Sequence, residues 1–449
     1  MIDSVKNALN LPDLRRRIFF TLGILILYRL VANIPVPGVN VQILSTLAER
    51  VSSNRLIDVL DLLSGGAVSN FSVMAMGVYP YITASIIIQL LTPIIPIFEE
   101  WQSEGESGRN RLNRITYYLT IPLALVQAIG QINLIGLQFG SVESILPHFG
   151  LSSAANILPT LTTLMAMTGG TMFAIWLGEL ITKEGVGQGV SLIIFSGIVA
   201  RIPFSFGRML RIEDSTARIF SIIAFFVITL ITLFIIVVVQ EGERRIPVQY
   251  GRRVRGRKVY QGQNTYVPLK VNTAGMIPII FAQSIITFPG IFAQLFVNSN
   301  SEWLKNFATS VSNTFGNNPG VIYWFLLFIF VVGFTFFYTD VMVAQQNLPQ
   351  TLQRQGGFIP GIRPGPRTKD YITSVVRRIT LVGALFLGVV AVLPGIMQGI
   401  GSLLNLPDLQ QSVQVIGGSG LIIVVGVVID TMRQLEAQLL MRHYEGFIR

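Results

Sequence analysis

Long uncharged runs alternate with short charged ones along this chain. Eight runs hold no Asp, Glu, Lys or Arg: residues 62–98, 115–142, 144–178, 219–240, 271–301, 306–339, 379–407 and 409–429. A helix rises about 1.5 Å per residue and the hydrocarbon core of a bilayer is about 30 Å thick, so about 20 apolar residues make one span. Each run is long enough for one. Two weaker stretches join them: 18–34, which is apolar but contains Arg29, and 185–200, which is uncharged but short. Counting both, the pattern predicts an all-α integral membrane protein of ten transmembrane helices.

The placement of charge supports that count. Cytoplasmic loops of short-loop membrane proteins carry the Lys/Arg excess. With ten spans and a cytoplasmic N-terminus, 25 of the 33 Lys and Arg residues fall inside, and both termini are cytoplasmic. One segment goes against the trend: Arg201, Arg208, Arg211 and Arg218 lie outside, beside Glu213 and Asp214. If 185–200 did not span, everything after it would invert and a loop of eight basic residues would face outward. The span is therefore kept. Ten spans divide into five and five, and an odd number per half starts the second half on the opposite side, which is the arithmetic of an inverted repeat. The expected halves are 1–200 and 219–449, with 201–218 as an external hinge.

Composition narrows the function. Only 12% of residues are charged against 51% apolar, yet the net charge is +10. A soluble domain carries about 25% charged residues, and disorder needs low hydrophobicity with high charge, so neither class fits. There is no Cys, and His148 and His443 are the only histidines. That leaves no disulfide, no thiolate site and no metal-ligand cluster. The chain has no GxxxxGK[ST], HExxH or GxSxG motif, and no paired intramembrane aspartates. No catalytic residue, metal or cofactor is expected. The polar N-terminus up to Arg17, with no small-residue cleavage site after the first apolar stretch, predicts no cleavable signal peptide. The pattern describes a conduit whose energy comes from a partner.

Local features refine this. The first external segment, 35–72, holds an amphipathic stretch at 56–63 followed by Ser64, Gly65 and Gly66. Such a break permits either a surface loop or a half-helix folded back into the membrane, the latter only where protein or a cavity shelters the backbone. Val78, Ile82 and Gln89 share a helical face, as ordinary packing or as a stiff apolar wall. Asn272 opens the run 271–301, with Gly275 and Pro278 behind it. Four charges fall in or near spans: Arg29, Glu179, Asp340 and Asp430. Arg29 is expected to snorkel, and none of the four sits at mid-membrane, where an ion-coupled transporter needs one. Two loops, about 241–270 and 343–378, concentrate basic residues. The first alternates apolar and basic residues around Gly251 and Gly256, predicting a short hairpin. The second sets Arg363 between Pro/Gly turns. They either serve only as topogenic charge or bind anionic lipid, acidic protein or RNA phosphate.

The runs LRRRIFFTLGILILYRL, IPVPG, LSGGAVSNFSVMAMGVYPYITASIIIQLLTPI, EGESGRNR, GTMFAIWLGELITKEGVGQGVSLIIFSGIVA, EGERRIPVQY, YVPLKVNTAGMIPIIFA, GFIPGIRPG and ITLVGALFLG resemble the SecY family of bacterial and plastid protein-conducting channels, nearly end to end and in order. The short C-terminus MRHYEGFIR is similar to cyanobacterial or plastid members. The resemblance implies two inverted five-helix halves around a central hourglass pore. It implies an aliphatic pore ring of Val78, Ile82, Ile194, Ile280 and Ile423, and a plug at about 56–70 that includes Asp61, Leu63, Ser64, Gly65 and Gly66. Gln89 and Asn272 would lie in the polar part of a lateral gate, which admits signal sequences and releases membrane helices. Arg252, Arg253, Arg257, Lys258, Arg363 and Arg367 would dock the ribosome or the SecA motor ATPase. Val78 stands where other members carry isoleucine, which implies a ring one methylene smaller. Implied partners are SecE-like and SecG-like small membrane subunits, signal-peptide-bearing substrate proteins and membrane lipid. The implied location is the bacterial plasma membrane, and the thylakoid if the chain is cyanobacterial. The competing readings are a secondary solute transporter of similar span count and, more weakly, an integral membrane enzyme.

Overall fold

The computed structural model describes residues 11–40, 57, 60–61, 64–138, 142–150, 153–210, 215–250, 253–255, 258–260, 264–294, 296–297, 301–312, 314–315, 320–346, 348–363, 365–403 and 418–445. Each of the ten predicted stretches carries helix. In chain order the helices are α1 (Pro12–Val31), α2 (Tyr79–Leu91), α3 (Pro96–Ser103), α4 (Glu106–Gln138), α5 (Val142–Ile145), α6 (Ala154–Glu184), α7 (Gly189–Leu210), α8 (Ser215–Glu241), α9 (Ile277–Gln294), α10 (Glu302–Ser312), α11 (Val321–Gln346), α12 (Leu348–Arg354), α13 (Pro366–Leu403) and α14 (Gly418–Glu445). By length and apolarity alone, Glu106–Gly136, Ala155–Glu184, Val321–Val343 and Pro366–Gly399 can each cross a membrane.

Three stretches differ from the pattern. The run 62–98 does not form one straight helix: α2 has 13 residues, and α3 departs from it at 99°. Pro96 marks the break, because a proline disfavours α-helical geometry in the residue before it, here the extended Ile95, and then starts a new helix well. The short run 185–200 becomes a 22-residue helix that continues through Arg201 and Pro203, so part of the expected external hinge is helical. Asn272 lies before α9 rather than inside it.

Lipid offers no water to spare polar groups, so hydroxyls must be satisfied locally. Thr83, Thr92, Thr116, Thr120, Thr168 and Thr335 each donate to the carbonyl one turn back, at 2.6–3.1 Å. Close packing uses small residues. A Cβ on Gly189 would fall 1.8 Å from the Gly178 carbonyl oxygen, so α6 and α7 meet backbone to backbone there.

The chain forms two compact units. One comprises Met1–Asp214, Gln283–Trp324 and Val427–Arg449, the other Ser215–Ala282 and Phe325–Gly426. In the first, α4 packs on α2, α3 and α6, and α6 packs on α1 and α7. A smaller apolar cluster joins Leu14 of α1, Val186 and Leu435 of α14.

The second unit carries strands, and the predicted basic hairpin is among them. Strand β1 (Glu243–Tyr250) pairs antiparallel with β4 (Asn264–Lys270), from Glu243 opposite Lys270 to Gln249 opposite Asn264. Between them, β2 (Arg253–Arg255) pairs with β3 (Lys258–Tyr260). A fifth strand, β5 (Gly357–Phe358), comes from the second basic loop and pairs with the other edge of β1, Gln249 opposite Phe358. Alternation along β1 buries Ile246 and Val248 and exposes Arg245 and Pro247. Those two residues join Leu269, Leu352, Ile359, Ile372 and Val376 in a core of their own. Each such side chain contributes about 1.5–3 kcal/mol on burial, enough for the two loops to form one small folded body.

Candidate functional site

The segment expected to be a plug is held against α1. Ile57, Leu60, Asp61 and residues 64–72 are described, while Leu63 lies outside the described residues. Asp61 is fully buried, and its carboxylate accepts from the Ser69 amide at 2.9 Å and the Ser69 hydroxyl at 2.6 Å. The Gly66 amide donates to the Asp61 carbonyl at 2.7 Å. Gly65 and Gly66 have φ of 72° and 86°, a turn that glycine makes at no steric cost. Phe71, at φ 42°, makes a turn at the far end without that freedom, at a cost of about 1–3 kcal/mol. Tyr28 of α1 donates its hydroxyl to the Ser64 carbonyl at 2.6 Å, and Arg29 donates to the Gly65 carbonyl. Arg29 lies in the last turn of α1, and its guanidinium turns to the glycine turn. Sequence reading missed Tyr28 and Arg29 as partners of this segment.

The aliphatic candidates are all buried, at 0–6% exposure. Val78 caps the start of α2, and the Ile82 amide donates to its carbonyl at 3.1 Å. Ile194 stands on α7, Ile280 on α9 and Ile423 on α14. Val78, Ile82 and Ile194 belong to the first unit, and Ile280 and Ile423 to the second.

The two polar candidates make local bonds. The Gln89 amide donates to the Ser85 hydroxyl at 3.1 Å, one turn back on α2. The Asn272 amide donates to Gln240 Oε1 and to the Gly275 carbonyl, both at 2.9 Å, tying the entry of α9 to the last turn of α8. A larger polar set was missed. On α4, Gln127 donates to the Thr83 hydroxyl and Gln131 to the Ala75 carbonyl, both at 3.3 Å. Tyr79 donates to the Ser284 carbonyl of α9 at 3.1 Å. Among the described residues, Gln127 Oε1, Gln131 Oε1, Asn272 Oδ1, Gln283 Oε1, Ser284 Oγ and Thr287 Oγ1 are buried without a hydrogen-bond partner. A buried acceptor left unmade costs about 1–3 kcal/mol, so contacts made through these side chains hold loosely. The i, i+4 spacing of Gln127 and Gln131 inside an uncharged run was the available signal.

The docking candidates fall on the strand body. Arg363 is exposed, between Gly361 (φ 82°) and Gly365 (φ 121°). The Thr368 hydroxyl donates to the Arg363 carbonyl at 3.0 Å, and the Ile362 amide donates to the Ile359 carbonyl at 3.0 Å. Ile359 is in the core beneath, so the backbone that carries Arg363 is anchored while its charge faces outward. Arg367 is exposed in the first turn of α13. Arg253 and Lys258 lie on β2 and β3, and Arg252 and Arg257 fall outside the described residues. Because β5 pairs with β1, both basic loops belong to one body, which the sequence did not reveal.

Comparison with known proteins shows the family. The SecY family model matches residues 72–432. The chain is 43% identical over 458 residues to the protein translocase subunit SecY of Halalkalibacterium halodurans and 41% identical over 464 residues to that of Mycobacterium bovis, with the whole of each chain covered. It is 40% identical to SecY of Thermotoga maritima, across all of this chain and 98% of that one. Among solved structures, its fold is similar to that of a protein-conducting channel, at a TM-score of 0.60 and 16% identity, covering 94% of this chain and 91% of that one. It is also similar to Sec61 from a canine ribosome–channel complex of the endoplasmic reticulum, at a TM-score of 0.59 and 16% identity, with the same coverage. In sequence along its whole length, and in fold, this chain belongs to the SecY family of protein translocase subunits.

Proposed function

We propose that this multi-pass protein of the bacterial membrane is the protein-conducting channel of its translocase, passing unfolded secretory chains across the bilayer and releasing transmembrane segments sideways. The observation that carries the reading is the whole-length identity to translocase subunits. In this reading the two inverted halves, 1–200 and 219–449 with 201–218 between them, enclose the path. Val78, Ile82, Ile194, Ile280 and Ile423 form its constriction. Aliphatic side chains give a sliding polypeptide no hydrogen bonds to stick to, and a narrow apolar neck tends to dewet and resist ions. Residues 56–70 seal it at rest. A related SecY has been solved in which the plug domain stabilises the closed state of the channel and maintains a membrane seal.

The lateral gate in this proposal is the polar seam, enlarged from Gln89 and Asn272 to Thr83, Gln127, Gln131, Gln283, Ser284 and Thr287. Its half-made hydrogen bonds favour a contact that opens at small cost. The strand body with Arg363, Arg367, Arg253 and Lys258 receives the driving partner, a ribosome or the SecA motor ATPase, on the cytoplasmic side, where both termini also lie. SecE-like and SecG-like subunits and lipid cover the apolar outer surface, on which Phe234, Ile322 and Phe325 are more than 60% exposed.

The test is reconstitution of the purified chain with its small subunits and a motor into vesicles. A signal-bearing polypeptide should become protease-protected while a radiolabelled small solute does not accumulate. Solute accumulation without protected polypeptide would favour the transporter reading.

A further inference from the structure

The glycine turn at 64–66 is held through its backbone, by α1. Helical hydrogen bonding cannot continue through residues at φ 72° and 86°, so the carbonyls of the buried Ser64 and Gly65 need outside donors. Two consecutive side chains of α1 provide them. The buried Tyr28 hydroxyl donates to Ser64 at 2.6 Å and the Arg29 guanidinium donates to Gly65. The fit against α7 is close: a Cβ on Gly197 would fall 2.0 Å from Gly65 Cα. Further along, the Asn70 amide donates to Asn33 Oδ1 at 2.8 Å, the Val36 amide to the Phe71 carbonyl and the Val73 amide to the Ile34 carbonyl, both at 3.0 Å. The segment is thus tied to α1 and the residues just after it at several points, and among the described residues the side-chain bonds from α1 to the turn at 64–66 come from Tyr28, to Ser64, and Arg29, to Gly65.

Resting on the plug reading above, we propose that Tyr28 and Arg29 form a backbone latch that sets how often the plug is seated. They are positioning residues and need not touch the translocating chain. Bonds to carbonyls suit a reversible latch. Once the turn swings into a hydrated space, water replaces both donors at little cost, and the same two donors recapture the turn when it returns. The charged donor makes the stronger bond.

Resting ion conductance in planar bilayers tests the latch, using the parent, Arg29→Gln, Tyr28→Phe and a deletion of 56–70, with Arg29→Gln also placed in the deletion. Loss of one charge-assisted bond should raise the open fraction about tenfold in Arg29→Gln. Tyr28→Phe, which keeps the ring and removes one hydroxyl, should raise it less. In the deletion background Arg29→Gln should add nothing. A parent-like Arg29→Gln and Tyr28→Phe beside a leaky deletion would overturn the latch and leave the plug reading intact. A deletion that does not leak would overturn the plug reading itself. An equal rise from Arg29→Gln with and without the plug would place Arg29 in helix packing and overturn the latch.

Discussion

Deleting residues 56–70 raises the resting ion conductance of bilayers that contain the protein. The expected effect is large because most of the described residues among them are buried. Ile57 and Asp61 are fully buried, Leu60 is 5% exposed, and Ala67 and Val68 show no exposure at all. A segment that buries its polar and apolar groups alike is packed in place, and removing it opens a space of that size. The remaining barrier would be the proposed aliphatic constriction. Single-channel recording measures the change directly, as frequent openings in the deletion and rare ones in the parent. Unchanged recordings would remove the plug assignment.

Arg363→Glu abolishes motor-driven export while leaving the protein folded. The guanidinium is exposed, and the turn beneath it is fixed by the bond from Thr368 to its carbonyl and by Ile359 in the core. A substitution at such a surface position changes stability by about 0.5 kcal/mol or less. At a docking contact, however, reversal replaces attraction by repulsion. Arg is among the residue types that dominate interfaces, each costing about 2 kcal/mol or more when lost, which is at least a tenfold loss of affinity. Import into vesicles driven by the SecA motor should therefore fall by tenfold or more, with an unchanged melting midpoint and a steep dependence on salt in the parent. Full transport by the variant would place the docking surface elsewhere.

How much of this was legible differs by element. Eight of the ten helix-bearing stretches followed from long charge-free runs, because lipid imposes a length rule that few other sequences satisfy; 18–34, with Arg29, and the short 185–200 were the weaker two. The hairpin at 253–260 followed from alternation around two glycines. The bend between α2 and α3 was written in Pro96, although a hydropathy run hides it. What stayed hidden was non-local. The pairing of Gln249 with Phe358 joins two loops on either side of α9, α10 and α11, and β5 is only two residues long, too short to leave a periodic signal. Arg29 looked like a lone charge in a span, and its bond to a glycine turn 36 residues away was not legible from its own surroundings. The polar seam was half visible. Gln89 and Asn272 stood out by sequence, yet each bonds within its own surroundings, while Gln127, Gln131 and Gln283 carry more of the unmet hydrogen-bonding capacity.

The central claim is that a polypeptide passes through the interior, against Ile82. The chain contains no cysteine, so one introduced thiol is the only one present. A cysteine at position 82, made as Ile82→Cys, is challenged with a translocating chain stalled partway and carrying its own single cysteine, and disulfide formation is measured. Phe19→Cys, on an α1 side chain that is 61% exposed on the apolar surface, is the control. The expected result is a disulfide to the stalled chain from position 82 and none from position 19. No product at position 82, or equal product at both, would contradict it.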